Sequence, residues 1–244
     1  DTTYYFRVAA IGHNGAASEY TAAAATATLL AYAPSPAGFT SVAASSLRFD
    51  WNSGGNADGT LYRVYSSTAA DPLVPSGAAV ISSFTYNTWL SSAGLSANTT
   101  YYFRVAGVNK NGVATAYTAA AGTSTLLGYV PASAGFSGVS SAALTFSWTS
   151  GGNPAGSLYR LLVSTAADPL APAGAPVTSS DTYSLSLKAA GLAANTTYYF
   201  RAAGLNNNGV PTDYSQAAAT STLAAQPSGL YLSGVTTHDM QLNW

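Results

Sequence analysis

Apolar and polar residues alternate with a period of two along several short segments of the chain. Apolar side chains occupy every second position in 47–51, 61–65 and 101–105, and polar or small residues fill most of the positions between them. This spacing places one face of an extended strand in a core and the other in solvent. No segment has the 3.6-residue periodicity of a convincing amphipathic helix. The pattern therefore predicts an all-β protein.

Turn sequences separate these predicted strands. AsnGly occurs at 14–15, 111–112 and 208–209, where both residues tolerate the positive φ of a tight hairpin. SerGlyGlyAsn at 53–56 and AspPro at 71–72 mark further turns, and we expect the aspartates Asp71 and Asp168 to stabilise turns. The spacing gives about seven short strands per unit, which predicts a β-sandwich of two sheets.

The chain repeats itself with a period close to 97 residues. The string TTYYFR begins at Thr2, Thr99 and Thr196, and Trp51 and Trp148 are 97 residues apart. This period is too long for a solenoid turn and has the size of a complete small domain. We therefore expect a string of separate domains.

The phase of the repeat predicts two whole domains between two partial ones. We expect the last strands of one domain at 1–31, complete domains at 32–128 and 129–224, and the first strands of a further domain at 225–244. Cutting a sandwich within a sheet would leave strands unpaired. The sequence is therefore expected to be a segment of a longer array.

Residues 95–112, LSANTTYYFRVAGVNKNG, resemble one corner, the adjoining strand F and the F–G hairpin of the fibronectin type III family. The resemblance recurs in register along the chain. It implies tandem immunoglobulin-like sandwiches of seven strands, with strands F–G in 1–31 and strands A–B in 225–244. Two departures are Ala97 and Ala194, where the family often has proline, and Gly107 and Gly204, where it has alanine. The structural residues that the resemblance implies are the tyrosine corners Tyr4, Tyr101 and Tyr198 and the core tryptophans Trp51, Trp148 and Trp244.

Composition excludes several function classes. Charged residues make up 7% of the chain, and the net charge is -1, so there is no basic surface for nucleic acid or for an anionic membrane. Cysteine is absent, and the only histidines are His13 and His238, so disulfides, thiolate sites and histidine-ligated metals are not expected. The most apolar segment, 22–33, is too short to span a bilayer. A surface of Ser, Thr, Ala and Tyr is typical of extracellular or cell-surface proteins.

The sequence contains no recognisable catalytic or cofactor motif. It lacks a nucleophile elbow, a phosphate loop, a dinucleotide fingerprint and a zinc-ligand spacing. We therefore expect no catalytic, cofactor-binding or metal-binding residues, no cofactor and no enzymatic activity in these 244 residues.

Arginine and tyrosine alternate outward on two predicted neighbouring strands, which gives a candidate lateral interface. Two interpretations remain open: the side chains stack within each domain, or they contact another copy of the chain, since Arg and Tyr are enriched at interfaces. The residues concerned are Arg63, Tyr65, Tyr102, Arg104, Arg160 and Arg201.

Three further features carry alternatives. Trp89 has Ser186 at its equivalent position and is expected to point outward, either to stack on a sugar or a partner or to pack locally. AsnThrThr at 98–100 and 195–197 fits both a glycan acceptor and a structural turn. The segments between domains, 29–34 and 126–131, contain Leu, Tyr and Pro, which predicts apolar packing at the junctions and little hinge freedom.

These observations together favour a structural segment of a long microbial extracellular or cell-surface protein, as a stalk, an adhesin shaft or a component of a surface filament. Its expected partners are neighbouring copies of the same array. The alternative is a spacer or accessory carbohydrate-binding segment of a large secreted carbohydrate-active enzyme, with glycans as partners and Trp89 as the sugar contact.

Overall fold

The computed structural model describes residues 1–30 and 32–243, and these residues form strands joined by turns and loops, with no helix among them. The strands, in chain order, are β1 (Thr3–Phe6), β2 (Ala24–Ala27), β3 (Ser35–Thr40), β4 (Ser46–Asn52), β5 (Leu61–Ser67), β6 (Val80–Thr85), β7 (Trp89–Ala93), β8 (Thr100–Val108), β9 (Ala121–Ser124), β10 (Ala132–Ser137), β11 (Ala143–Thr149), β12 (Leu158–Ser164), β13 (Val177–Thr182), β14 (Ser186–Ala190), β15 (Thr197–Leu205), β16 (Ala218–Ser221), β17 (Tyr231–Ser233) and β18 (Gln241–Asn243). The predicted all-β class is confirmed.

The chain forms two compact units, Asp1–Leu127 and Gly128–Trp244. In the first unit, a three-stranded sheet in the order β3-β4-β7 faces a four-stranded sheet in the order β6-β5-β8-β9. The second unit repeats this arrangement with β10-β11-β14 and β13-β12-β15-β16. Every strand pair is antiparallel. Each unit thus contains the expected immunoglobulin-like sandwich of seven strands.

Two short antiparallel pairs accompany the sandwiches. β1 pairs with β2 in the first unit, and β17 pairs with β18 in the second. They correspond in position to the expected partial domains at 1–31 and 225–244, although the exact domain boundaries stay a prediction.

The two cores are built from the alternating positions that the sequence indicates. In the first unit, the rings of Phe49 and Phe103 stack with centroids 5.3 Å apart, and Trp51 packs on Phe49 at 5.5 Å. In the second unit, Phe146 and Phe200 stack at 5.4 Å. Burial alternates residue by residue along β4 and β11 because successive side chains on a strand point to opposite faces.

The tyrosine-corner residues bond back to the chain a few residues upstream. The hydroxyl of Tyr101 accepts a hydrogen bond from the Ser96 N–H at 3.0 Å, and that of Tyr198 accepts one from the Ala193 N–H at 2.9 Å. Tyr4 is half-exposed on β1. These are the bonds that the resemblance to fibronectin type III implies at Tyr101 and Tyr198.

The core tryptophans of the two complete sandwiches are buried. Trp51 lies on β4 and Trp148 on β11, and both side chains face the interior between the sheets. The third predicted core tryptophan, Trp244, lies outside the described residues.

The AsnThrThr segments enter β8 and β15 through a left-handed turn. Asn98 has φ of 50° and Asn195 has φ of 49°, a conformation that asparagine adopts more readily than most residues. The backbone N–H of Asn195 also donates to the Leu223 carbonyl at 3.0 Å. Both asparagines therefore have a structural role in the turn, and glycosylation at these sites stays a prediction.

Candidate functional site

The candidate functional features lie in the loops at the start of each sandwich and on the outer faces of the sheets. In 1–30 and 32–243, no group of three or more His, Cys, Asp or Glu side chains is placed to hold a metal ion. Within the same residues, no helix has the length and apolar character needed to cross a membrane.

The loop between β4 and β5 holds the segment that leads into the sandwich. The amide of Asn56 donates to the Tyr32 carbonyl at 2.7 Å and to the Ser53 carbonyl at 2.9 Å. A Cβ atom on Gly54 would collide with the Ala33 carbonyl, so the loop needs glycine there. Gly54 also has φ of 75°, which favours glycine for a second reason. Sequence reasoning identified this loop as a turn and missed that it binds the preceding segment.

The second unit repeats this contact between β11 and β12. Asn153 both donates to the Tyr129 carbonyl at 2.7 Å and accepts from the Tyr129 N–H at 3.1 Å. A Cβ on Gly151 would lie 2.5 Å from the Val130 carbonyl oxygen. The SerGlyGlyAsn loop therefore binds the linker that precedes the first strand in both units. Its exact repetition at 53–56 and 150–153 was the signal available in the sequence.

In the first unit, the hairpin that follows β8 binds the end of β2. Asn109 is 3% exposed, and its side-chain oxygen accepts from the N–H groups of Asn111 at 3.0 Å and Val113 at 2.8 Å. Its side-chain nitrogen donates to the Thr28 carbonyl at 3.2 Å. One side chain thus shapes the hairpin and ties it to the chain 81 residues earlier.

Two neighbouring hairpin residues extend this contact. The amide of Asn111 donates to the Thr26 hydroxyl at 2.8 Å and to the Ala27 carbonyl at 3.3 Å. The Lys110 N–H donates to the Asp1 carboxylate at 2.9 Å. We call the contact of the hairpin residues Asn109, Lys110 and Asn111 with Asp1 and the end of β2 the asparagine junction. Asparagine suits it because its amide nitrogen donates and its oxygen accepts, so it can bridge two backbone segments.

An apolar contact lies beside the asparagine junction. A Cβ atom on Gly107 would come within 2.8 Å of the Leu30 side chain, so glycine makes room for that side chain. This explains the departure from alanine at this position. Leu29 remains exposed, and the ring of Tyr32 lies over Gly55, so the apolar linker residues contribute unequally.

Two of the arginines in the candidate lateral interface, which we call the face arginines, form ion pairs with aspartates of their own unit. Arg104 lies 2.8 Å from Asp71 through both Nε and Nη2, although only the Nη2 contact is directed as a hydrogen bond. Arg201 makes the equivalent ion pair with Asp168 at 2.9 Å. Each arginine also donates to a backbone carbonyl, that of Thr118 or Ser215.

The aspartates Asp71 and Asp168 also have the turn role that the sequence predicts. Their carboxylates accept from the N–H groups of Leu73 at 2.9 Å and Leu170 at 3.0 Å. They therefore fix the loop after β5 or β12 and at the same time neutralise the arginine beside it.

The other two face arginines differ between the units. Arg160 donates two bonds of 2.8 Å to Asp181 on β13, which keeps the pKa of Asp181 below its usual value. At the equivalent positions, Arg63 faces Phe84, with its guanidinium carbon 5.0 Å from the Phe84 ring and 5.3 Å from the Tyr65 ring. Arg63 is therefore held by aromatic rings where Arg160 is held by a carboxylate.

The tyrosines of the face also pack within the unit. The ring of Tyr102 covers Gly122 on the neighbouring strand β9, so closely that a Cβ on that glycine would lie 2.7 Å from it. The ring centroids of Tyr65 and Tyr117 are 5.4 Å apart, and burial raises the pKa of Tyr117. The structure thus shows the contacts of the intradomain interpretation, and the lateral interface at Arg63, Tyr65, Tyr102, Arg104, Arg160 and Arg201 stays a prediction.

Trp89 lies on the outer face of the three-stranded sheet of the first unit and is 36% exposed. The guanidinium carbon of Arg48 is 4.5 Å from its ring centroid. Arg48 in turn donates to Asp50 at 2.7 Å, and Asp50 also accepts from the Thr40 hydroxyl at 2.7 Å. Trp89 therefore has a local packing partner that sequence reasoning missed, while a sugar contact through its exposed part stays a prediction.

Comparisons with known proteins give structural likenesses only. No family model matches the chain, and no curated protein matches it. A two-domain fibronectin type III segment of chicken tenascin is 17% identical, with a TM-score of 0.42, over 77% of this chain and 97% of that one. The FN1–FN3 domains of chicken CNTN1 are 18% identical, with a TM-score of 0.38, over 91% of this chain and 77% of that one. The fibronectin type III domain of human fibronectin type III domain containing protein 3 is 21% identical, with a TM-score of 0.33, over 39% and 86%.

The fold itself contains the features that the resemblance to fibronectin type III implies. Each unit contains a three-stranded sheet opposite a four-stranded sheet. Each sandwich also has a back-bonded corner tyrosine, Tyr101 or Tyr198, and a buried tryptophan, Trp51 or Trp148, on the second strand. The chain is therefore a tandem array of fibronectin type III-like β-sandwiches.

Proposed function

We propose that this chain is a structural spacer segment of a long extracellular or cell-surface protein of microbial type, serving as a stalk, an adhesin shaft or a component of a surface filament. The asparagine junction carries the proposal. A spacer has to keep a defined distance between the parts it connects, and this contact joins two chain segments by directed hydrogen bonds where a flexible Gly/Ser linker would leave them free.

The chemistry of the asparagine junction suits a spacer outside the cell. Most of its contacts join uncharged groups, so salt screens them little. Apart from the Asp1 carboxylate, the groups that meet there are amides, a hydroxyl and backbone carbonyls of the chain itself. Its strength therefore depends on geometry and on the exclusion of water more than on ionic conditions.

The linker contact of Asn56 adds to this restraint in the first unit, and Asn153 makes the equivalent contact in the second. Asn56 and Asn153 hold the backbone of Tyr32 and Tyr129, respectively, just before the first strand. A pulling force on the chain would therefore meet hydrogen bonds in the entering segment before it reaches the sheets. The proposed role is mechanical and requires no catalytic group.

Electron microscopy of the full-length protein from its source tests the proposal. We expect rods or filaments in which domains follow one another at a regular spacing. A compact globular particle, or domains scattered along a flexible chain with no regular spacing, would contradict a spacer role.

The accessory carbohydrate-binding function remains the second candidate because of Trp89. Its ring keeps an exposed portion beside the polar side chains of Arg48 and Asp50, a combination of aromatic surface and hydrogen-bonding groups that suits a sugar. The second unit has Ser186 at this position and provides an internal comparison.

A further inference from the structure

Strand β6 forms one edge of the four-stranded sheet in the first unit. It pairs with β5 on one side, and the sheet order places no described strand on the other. Val80, Ile81 and Phe84 on this strand are 36%, 59% and 53% exposed. An edge strand presents a row of unpaired backbone N–H and carbonyl groups, which is a template for another strand.

β6 lacks the features by which edge strands usually avoid pairing. Its sequence, VISSFT, contains no charge and no proline, and its register with β5 runs without a bulge. The edge strand β3 of the facing sheet contains Pro36 and a bulge before Gly38. In the second unit, β13 is equivalent to β6 and carries Asp181. Within the described strands, the edge at β6 is therefore open where these two are blocked.

The exchange of Phe84 for Asp181 accounts for this difference. In the second unit, Asp181 forms the ion pair with Arg160 and places a carboxylate on the edge strand. In the first unit, Phe84 contacts Arg63 through its ring, so the edge stays uncharged and more apolar. Two differences between the strands, Phe84 for Asp181 and Ile81 for Thr178, thus change a protected edge into an exposed apolar one.

We propose that β6 pairs antiparallel with β6 of a second copy of the chain, so that the two four-stranded sheets become one continuous sheet. The strand is complementary to itself. With Ser82 opposite Ser82, the two-fold arrangement places Val80 opposite Phe84 in both halves, and all of these residues lie on the same face of the joined sheet. Aromatic residues opposite β-branched ones are favourable cross-strand pairs.

Electrostatics does not oppose this pairing. The Arg63 side chains of the two copies would be separated by both β6 strands, about 14 Å at three strand spacings, which is beyond the Debye length of about 8 Å at physiological salt. The net charge of -1 adds little repulsion between copies. The inference goes beyond the spacer role and is independent of it, since pairing of β6 can occur whether or not the array keeps a fixed spacing.

Sedimentation velocity of the whole chain over a concentration series tests the proposal. Because an interface made by one strand pair is small, we expect a weak dimer with a Kd on the order of 100 µM. The variant Ser82→Lys places two like charges opposite each other at the two-fold axis, and we expect the Kd to rise at least about tenfold. The matched control Ser179→Lys makes the same change on β13, and we expect its dimerisation to equal that of the wild type.

A reciprocal exchange separates pairing from folding. Phe84→Asp gives Arg63 the carboxylate that Arg160 already has, so this variant should fold normally and remain monomeric. Asp181→Phe opens the edge at β13, and we expect assemblies larger than dimers. A wild-type chain that stays monomeric up to millimolar concentration would overturn the proposal. A dimer that neither Ser82→Lys nor Phe84→Asp weakens would overturn it as well.

Discussion

The buried side chain of Asn109 allows the hairpin and the asparagine junction to be perturbed separately. Its oxygen accepts from the Asn111 and Val113 N–H groups within the hairpin, while its nitrogen donates to the Thr28 carbonyl. Aspartate keeps the acceptor oxygen and replaces the donor nitrogen by a second oxygen. Asn109→Asp therefore retains the hairpin bonds and sets an oxygen against the Thr28 carbonyl, whereas Asn109→Ala removes all three bonds.

The structure gives different magnitudes for the two variants. Asn109→Ala leaves two backbone N–H groups without their acceptor, at about 1–1.5 kcal/mol each, because water reaches this loop and reduces the full cost. With about 1 kcal/mol more for the lost bond to Thr28, the free energy of unfolding should fall by about 3–4 kcal/mol, which lowers the Tm of the first unit by roughly 12–16 °C. Asn109→Asp loses the bond to Thr28, at about 1 kcal/mol, and sets a buried carboxylate oxygen against the Thr28 carbonyl, at about 1 kcal/mol more, so we expect a fall of about 2 kcal/mol and roughly 8 °C.

Hydrogen exchange measured by mass spectrometry locates each effect. In Asn109→Asp, exchange should accelerate in residues 24–30 and stay at the wild-type rate in the hairpin 109–115. In Asn109→Ala, it should accelerate in both segments. The reasoning is refuted if Asn109→Asp destabilises the unit as much as Asn109→Ala does, or if exchange in residues 24–30 is unchanged in both variants.

Three further predictions concern the cores, an ion pair and the exposed tryptophan. Phe103→Ala and Phe200→Ala each remove a fully buried ring, and calorimetry should show a loss of about 3–5 kcal/mol in the unit that carries the change and none in the other. Arg160 lowers the pKa of Asp181, so the ion pair stabilises the second unit above the ordinary aspartate pKa of 3.8, and that stability is lost as the pH falls through the lowered value. Urea unfolding of Asp181→Asn should therefore show a loss below about 1 kcal/mol at pH 7 that disappears in strong acid, and a constant difference across that range would contradict the assignment. Trp89→Ala should abolish glycan-array binding if the second candidate function holds, and wild-type binding by this variant would exclude Trp89 as a sugar contact.

The sequence predicted the fold because the fold rests on local regularities. Alternation at 47–51 and 101–105 corresponds to the buried faces of β4 and β8, since a strand turns every second side chain inward. The tyrosine corner spans six residues, from Ser96 to Tyr101, and such short-range patterns are visible in the sequence. The resemblance to fibronectin type III followed from the same local features.

The candidate sites depend on contacts between residues far apart in the chain, and alternation alone does not reveal those. The amide of Asn109 reaches Thr28 across 81 residues, and Arg160 reaches Asp181 across 21. Sequence reasoning placed the arginines on the correct face but left their partners open. A comparison of the two repeats, position by position, could have indicated these partners. Both units have an arginine at this position, and the residue opposite it is Phe84 in the first unit and Asp181 in the second.

The hydrogen bonds of Asn111 also affect the chemical lifetime of the protein. Asn111 precedes Gly112, and asparagine before glycine deamidates readily because the unhindered glycine nitrogen can attack the side-chain amide. That attack requires the side chain to rotate toward the Gly112 nitrogen, which the bonds to Thr26 and Ala27 restrain. Once Asn111 has become aspartate or isoaspartate, its amide donor is lost and those bonds cannot re-form. Asn111 would thus deamidate mainly while its bonds to Thr26 and Ala27 are broken. Each time a load breaks these bonds, the chance rises that the asparagine junction is weakened permanently.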